Sequence, residues 1–375
     1  MKKTNWKSII GWGVATLVVV GVICGNIYQQ REQDTGKRNL YALLPLTGVI
    51  AQPGQDYKQA MEVSYKNLKD PKINIVYLDS QFQPTQAVTT LQQATLNDKH
   101  PLVLAWTLAI ASAVIPQVGD KGFIFSGSTV EYEALKKNNN YERLSTTSTE
   151  GVRLIVDYLA KHHKKVAIVH SNDVYGHANK DAFIKYIKNY PLEYIVMDFE
   201  NKSLSMRDLA YKLLTKDPDI DAIFVSAPAS HGFLEFFKEL KAQEFKGEVL
   251  ADIAFSQKFV FDALGDITED IVFVTLEPQL TTPRTQTAQK FRDLAFNSGL
   301  YPSFTSIEAY DMITLINYMV SNNIPLNQES FLEMKEFNGA AGKIIFSDRG
   351  DAIYPFILAT FKEGKIIPVE SEVVQ

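Results

Sequence analysis

A single cysteine, Cys24, stands in the 375 residues, so an intrachain disulfide and a cysteine-based metal site are both excluded. Excess charge is also scarce. Thirty-eight Lys and Arg against 43 Asp and Glu leave a net charge of −5, which gives nucleic acid nothing to bind to. The six histidines are His100, His162, His163, His170, His177 and His231. His162-His163 ends a Lys-rich helix and reads as solvated surface. His170 and His177 flank one loop, but a third metal ligand for them is missing. No G-x-S-x-G elbow, P-loop, H-E-x-x-H or G-x-G-x-x-G occurs in the body of the chain, so nothing points to an enzyme or to a bound cofactor.

A long apolar run is present, and it lies at the N-terminus. Lys2, Lys3 and Lys7 precede an uncharged stretch from Ser8 to Gln30, and Arg31, Glu32 and Asp34 follow it. About 20 apolar residues span a bilayer, and lysines stay on the cytoplasmic side. Residues 1–28 are therefore expected to form a signal-anchor helix, with 29–38 as a tether and the body exported. Two alternatives remain. Cys24 ends the apolar run as a lipoprotein cysteine would, although Ile23 fills the place where a small residue is usual. Ordinary cleavage has no A-x-A-like site to use.

The body alternates strand and helix. Leu40 to Leu44 reads as a buried strand that turns through Pro45-Leu-Thr-Gly48 into a helix carrying Tyr57, Ala60, Met61, Ser64, Tyr65 and Leu68 on one face. Further strands are expected at Ile73–Leu78, Pro101–Ala105 and Gly122–Phe125, with helices at Gln86–Leu96 and Leu108–Val118 between them. After a polar break at Lys136–Asn140 and a capping box from Thr147 to Glu150, the rhythm resumes. Strands are expected at Lys165–His170, Tyr194–Phe199, Ala222–Ser226, Val249–Ala251 and Ile271–Thr275. Such alternation specifies parallel sheets covered by helices on both faces, and the length suits two domains. Glu277–Pro283 reads as a crossing segment, and helices follow at Thr287–Asn297 and Ile307–Val320. Ser347–Gly350 reads as a hairpin turn, Tyr354–Phe361 as a last strand, and Glu363-Gly364 as a last turn.

Four places carry a resemblance. Pro45-Leu-Thr-Gly48 with Gly54 is one, and Leu78-Asp79 with Pro84 and Ala87 another. His170-Ser-Asn-Asp-Val-Tyr-Gly176 is the third. The fourth is Phe337-Asn-Gly-Ala-Ala-Gly342 with Phe346, Asp348 and Gly350; Ala309-Tyr-Asp311 fits the helix before it. In that order, from about Leu40 to Val369, the chain resembles a type I periplasmic binding protein of the branched-chain amino-acid (leucine/isoleucine/valine) substrate-binding family. The resemblance implies two Rossmann-like lobes with parallel sheets, joined by three crossings near Thr147, Pro278 and Phe337 and closing on a ligand like a clamp. Lobe one would hold 39–147 plus 279–336, and lobe two 148–278 plus 337–375.

It also implies site residues. Thr107 matches the hydroxyl that binds the ligand carboxylate at a helix start, where the helix N-terminus favours an anion; plain N-capping explains a Thr there as well. Gly127 and Thr129 match the second contact loop, and their other reading is turn chemistry. Trp106 falls at the pocket wall, or else in the core. Tyr175 matches the second-lobe aromatic that closes over the ligand, and otherwise is a half-buried loop tyrosine. Asp252 is the nearest candidate for the acid that pairs with a ligand ammonium, but the register puts Ile253 at the matching position. Ala227–Ser230 lacks the aromatic expected there. The implied function is an extracytoplasmic solute-binding protein that hands a small amino-acid-like ligand to an ABC permease. The rivals are a receptor subunit of the same fold signalling to a membrane partner, and a scaffold that has lost its ligand. The body would stand in the periplasm or outside a bacterial cell.

Overall fold

The computed structural model describes residues 36–48, 51–120, 122–127, 140–145, 148–201 and 203–369. The expected membrane helix over 1–28, Cys24, most of the tether, Thr129 and Thr147 lie outside them. Among the described residues no helix is long and apolar enough to cross a membrane.

The first lobe begins β1 (Arg38–Leu44), α1 (Ala51–Asn67), β2 (Ile73–Asp79), α2 (Pro84–Ala94), β3 (Leu102–Ala105), α3 (Leu108–Val118), β4 (Phe123–Ser126) and β5 (Tyr141–Arg143). Its sheet runs β2-β1-β3-β4-β5, parallel throughout. The strands are apolar on both faces, as a sheet covered on both sides requires. Leu40, Ala42, Leu44, Leu102 and Leu104 face one core shared with α1. Tyr41, Leu43, Val103, Ala105 and Ile124 face the other, shared with α2 and α3. β5 was not anticipated from the sequence. It is three residues long and carries Glu142 and Arg143, so it has no apolar run to reveal it.

The second lobe continues with α4 (Ser148–His162), β6 (Lys165–Ser171), α5 (Val174–Ile187), β7 (Glu193–Phe199), α6 (Arg207–Lys216), β8 (Ala222–Ser226), α7 (His231–Ala242), β9 (Glu248–Ala251), α8 (Lys258–Leu264) and β10 (Val272–Thr275). Then come α9 (Gln286–Asn297), α10 (Phe304–Ser321), α11 (Gln328–Met334), β11 (Glu336–Gly339), β12 (Gly342–Phe346), β13 (Ala352–Ile353), β14 (Ile357–Lys362) and β15 (Lys365–Pro368). The second sheet is ordered β15-β14-β10-β9-β8-β6-β7; β6 to β10 are parallel, and β14 and β15 close it antiparallel. Its faces again alternate, with Val166, Ile168 and Phe224 toward α4 and α5, and Ala167, Val169 and Val225 toward α6 and α7.

The chain's end corrects one expected boundary. Residues 337–353 do not join lobe two. β11, β12 and β13 form a separate antiparallel sheet, and Ala340, Ala341, Ile344, Phe346 and Ala352 belong to the lobe-one core with α10 and α11. The anchor is Asp311 on α10, which accepts the backbone N–H groups of Ala340 and, at 3.4 Å, Ala341. A Cβ on Gly339 would stand 2.5 Å from that carboxylate, so only glycine fits. The third crossing is therefore at 354–356, between β13 and β14, rather than at Phe337. At the second crossing Leu276 lies in the lobe-one core and Leu280 in the lobe-two core, so this segment is shared between the lobes. The expected turn at Ser347–Gly350 is present, with Gly350 donating to the Ser347 carbonyl at 2.8 Å.

Candidate functional site

Parallel strands deliver their following loops to one edge of a sheet. Where the strand order reverses, neighbouring loops diverge and leave a crevice. The order reverses between β1 and β3 in the first lobe, and between β6 and β8 in the second.

At the first reversal the Pro45–Gly48 loop is pinned by Asp79 at the end of β2. Its carboxylate accepts from Leu46 N at 2.9 Å, Thr47 N at 3.3 Å, Thr47 Oγ1 at 2.6 Å and Gln81 N at 2.9 Å. Burial pushes Asp79 up, but these hydrogen bonds outweigh it and hold the carboxyl below its ordinary range. Gly54 lets α1 begin close against the strand, since a Cβ there would fall 2.1 Å from the Pro45 carbonyl oxygen.

Trp106 follows β3. It is 7% exposed and belongs to the lobe-one core, with its ring 5.5 Å from that of Tyr57. Gly127, after β4, packs against the same group: a Cβ there would meet Glu308 Oε1 at 2.2 Å, Tyr57 Oη at 2.9 Å and Trp106 Cδ1 at 3.3 Å. Tyr57 donates to Glu308 Oε1 at 3.3 Å. Burial, and then the Glu308 charge, push the Tyr57 hydroxyl far above its ordinary value. Neither Tyr57, read from the sequence only as part of a helix face, nor Glu308 was expected at the site. They stand 251 positions apart, and each reads locally as an ordinary helix residue.

Thr107 occupies the N-cap position of α3 in extended conformation, yet its side chain makes no capping hydrogen bond. Its Oγ1 is buried and has no partner among the described residues. A capping role therefore does not account for the hydroxyl.

At the second reversal Asp173 caps α5, accepting from Gly176 N at 2.8 Å and Ser171 Oγ at 2.9 Å. Gly176 is as tightly held as Gly54, with a Cβ position 2.0 Å from the Ser171 carbonyl oxygen. This brings Tyr175 beside Asp252 and Asn179. Its hydroxyl is buried, in hydrogen-bonding geometry with neither, and burial followed by the Asp252 charge raises it well above its usual value.

Asp252 follows β9 directly and is 2% exposed. Its Oδ2 accepts from Ser226 Oγ at 2.7 Å and from Asn179 Nδ2 at 3.4 Å, and its Oδ1 accepts from Ala254 N at 3.0 Å. Burial pushes the carboxyl up to about 7 in spite of these bonds. Ile253 instead packs into the hydrophobic layer under α4 and α5. Of the residues expected at the site, Trp106 and Gly127 thus share one cluster in the first lobe, and Tyr175 and Asp252 another in the second. Ser226 and Asn179, which orient Asp252, had no sequence signal beyond ordinary polarity. Among the described residues, no group of His, Cys, Asp and Glu is arranged to hold a metal.

Two α/β lobes with parallel sheets, each with a strand-order reversal, are an architecture that closes on a ligand like a clamp. Residues 42–365 match the periplasmic binding protein family, and the chain belongs to that family of binding proteins. The type I form of the fold is shared with solved structures. One is a leucine-binding protein of Thermotoga maritima, 16% identical, with a TM-score of 0.76 over 89% of this chain and 98% of that one. Another is an ABC-transporter solute-binding protein of Rhodopseudomonas palustris in complex with p-hydroxybenzoic acid, 17% identical, with a TM-score of 0.78 over 90% of this chain and 96% of that one. A branched-chain amino-acid transporter substrate-binding protein of Streptococcus pneumoniae, in complex with isoleucine, is 16% identical, with a TM-score of 0.74 over 88% and 97%. No curated protein sequence matches the chain.

Proposed function

We propose that the chain is an extracytoplasmic solute-binding protein that captures a small carboxylate between its lobes and delivers it to an ABC permease, with its N-terminal segment holding it to the membrane. Thr107 carries this reading. A buried hydroxyl without a partner among the described residues, at the N-terminus of a helix and beside a strand-order reversal, supplies a donor and a favourable dipole for an anion. Tyr175, whose buried hydroxyl stands beside Asp252 and Asn179, would meet the ligand from the second lobe, with Gly127 and Thr129 completing the contact on the first. The ligands named for the related structures, isoleucine and p-hydroxybenzoic acid, have a carboxylate in common and differ in the ammonium. Both oxygens of Asp252 are already engaged inside lobe two, which favours a carboxylate lacking that ammonium. The second reading, an α-amino acid, is supported by the position of Asp252 beside Tyr175.

The test is a thermal-shift series on the full chain in detergent with leucine, isoleucine, benzoate and p-hydroxybenzoate. A ligand at 100 times its Kd adds about 2.7 kcal/mol of stability. The expected result is a shift with a carboxylate that Thr107→Ala abolishes while leaving the ligand-free melting temperature unchanged. A shift that survives in Thr107→Ala, or none with any carboxylate, overturns the proposal. Retention of the permease from a native membrane by the ligand-loaded protein, and not by the empty one, tests the delivery step.

A further inference from the structure

A cavity lies between the lobes and uses none of the residues assigned to carboxylate capture. It measures about 380 Å³ and is bounded in the first lobe by one stripe of α1 and by residues 299–305, and in the second by residues 257–262. That volume is within the range of small-molecule sites. From α1 it receives Gln52, Asp56 and Gln59, spaced so that one helical face presents all three.

Its charges do not balance. On the lobe-two side Lys258 Nζ is 2.7 Å from Asp262 Oδ1, so those two neutralise each other. Arg292, which lies near Tyr301, directs its guanidinium to the Pro278 and Gln279 carbonyl oxygens at 3.2 Å and to that of Leu280. Among the described residues Asp56 is left with a neutral partner, the Gln52 carboxamide at 2.7 Å. Partial burial of Asp56 disfavours its charge and pushes its carboxyl up. The wall is otherwise hydrogen-bonding: Gln59 donates to the Gly299 carbonyl at 3.4 Å, and the Tyr301 hydroxyl, raised by burial to about 12, stays protonated at ordinary pH. An anion entering here meets an uncompensated carboxylate, and a neutral solute leaves that carboxylate desolvated. A cation with hydrogen-bonding groups relieves it.

We propose that this cavity is a second ligand site of the protein, for a small organic ammonium compound held by the Asp56 carboxylate and touching both lobes. Its ligand class is opposite in charge to that of the Thr107 crevice, so the two sites are separable by experiment. Isothermal titration of the full chain in detergent would use ethanolamine, 1,3-diaminopropane and tetramethylammonium, none of which has a carboxylate, with sodium chloride as the ionic control. A primary amine is expected to bind, and Asp56→Asn to weaken it by about tenfold or more. Lys258→Gln, an exposed change that frees Asp262, is expected to tighten binding several-fold. Thr107→Ala is expected to leave it unchanged. The proposal is overturned if no amine binds at millimolar concentration. It is equally overturned if Asp56→Asn and Lys258→Gln both bind as the wild type does. Loss of amine binding in Thr107→Ala would assign the amine to the carboxylate crevice instead and also refute a second site. Failure of the carboxylate series leaves the amine result readable, because it depends on neither Thr107 nor a carboxylate probe.

Discussion

Replacing Asp252 by Asn should make the protein's stability less sensitive to pH. Asp252 is 2% exposed, and its carboxyl is raised from 3.8 to about 7 by burial. A raised acid pKa means that the folded state holds the proton more tightly than the unfolded chain. The group's contribution to stability therefore falls as pH climbs from the unfolded value toward the folded one, and levels off above it. With these two values, linkage gives a loss of about 2 kcal/mol between pH 5 and pH 7 from this residue alone. Asn has no such term. It keeps an oxygen for Ala254 N, Ser226 can turn its hydroxyl to accept, and the contact with Asn179 becomes donor against donor. That static loss is about 1 kcal/mol and independent of pH. Urea unfolding of wild type and Asp252→Asn, followed by far-ultraviolet circular dichroism at pH 5, 6 and 7, isolates the term, since Asp311 and every other titrating group are common to both. The variant should gain about 2 kcal/mol relative to wild type across that range. A difference that does not change with pH refutes the account of Asp252 as a buried, reluctantly charged acid.

Asp79 should show the opposite sign. Its carboxyl is held below the ordinary range by the loop hydrogen bonds, so its stabilisation is present above pH 4 and lost as pH falls through the folded value. Asp79→Asn should cost about 1–2 kcal/mol at pH 7, with the difference from wild type shrinking in acid on a pH-resolved denaturation series. Gly176→Ala puts a methyl 2.0 Å from the Ser171 carbonyl oxygen, and should lower stability by about 3 kcal/mol or more in chemical denaturation. Arg143 Nη2 lies 2.8 Å from Asp351 Oδ2, largely buried on both sides. Arg143→Met should cost about 3 kcal/mol by leaving Asp351 beside Glu142 without its cation, and Arg143→Met with Asp351→Asn should recover part of that loss in the same assay.

Much of the fold was legible because its strands are short apolar runs. Leu102–Ala105 and Ala222–Ser226 are buried throughout, and such runs followed by amphipathic helices leave few arrangements besides a covered parallel sheet. β5 was not legible, because its burial depends on a neighbouring strand and on the Arg143–Asp351 pair rather than on apolar residues. The hairpin expected over Gly339–Gly350 has its turn at Ser347–Gly350 but pairs β12 with β13 beyond it, and its strands pack in the lobe-one core rather than in lobe two. A turn motif specifies which strands are adjacent in the chain; the choice of lobe rests on Asp311, which lies 29 positions before Ala340. At the candidate site the family resemblance pointed to Trp106, Thr107, Gly127, Thr129, Tyr175 and Asp252, of which Thr129 lies outside the described residues. It left open whether Trp106 is wall or core, and whether Asp252 or Ile253 faces inward. Core packing against Tyr57 and hydrogen bonds from Ser226 and Ala254 decide those questions.

By itself, then, the sequence determined the alternating βα order, the turn at Ser347–Gly350, and which catalytic and metal-binding motifs the body of the chain lacks. These are properties of residues close together in the chain, set by backbone sterics and the period of apolar side chains. Only the tertiary structure decided that Glu308 and Tyr57 stand behind Gly127, that Thr107 keeps a hydroxyl unbonded among the described residues, that Asp252 is consumed by its own lobe, and that Asp56 faces a shared cavity. Each of those depends on desolvation and on which groups other elements bring alongside, from 26 positions away for Ser226 and Asp252 to 251 for Tyr57 and Glu308, which no local pattern encodes.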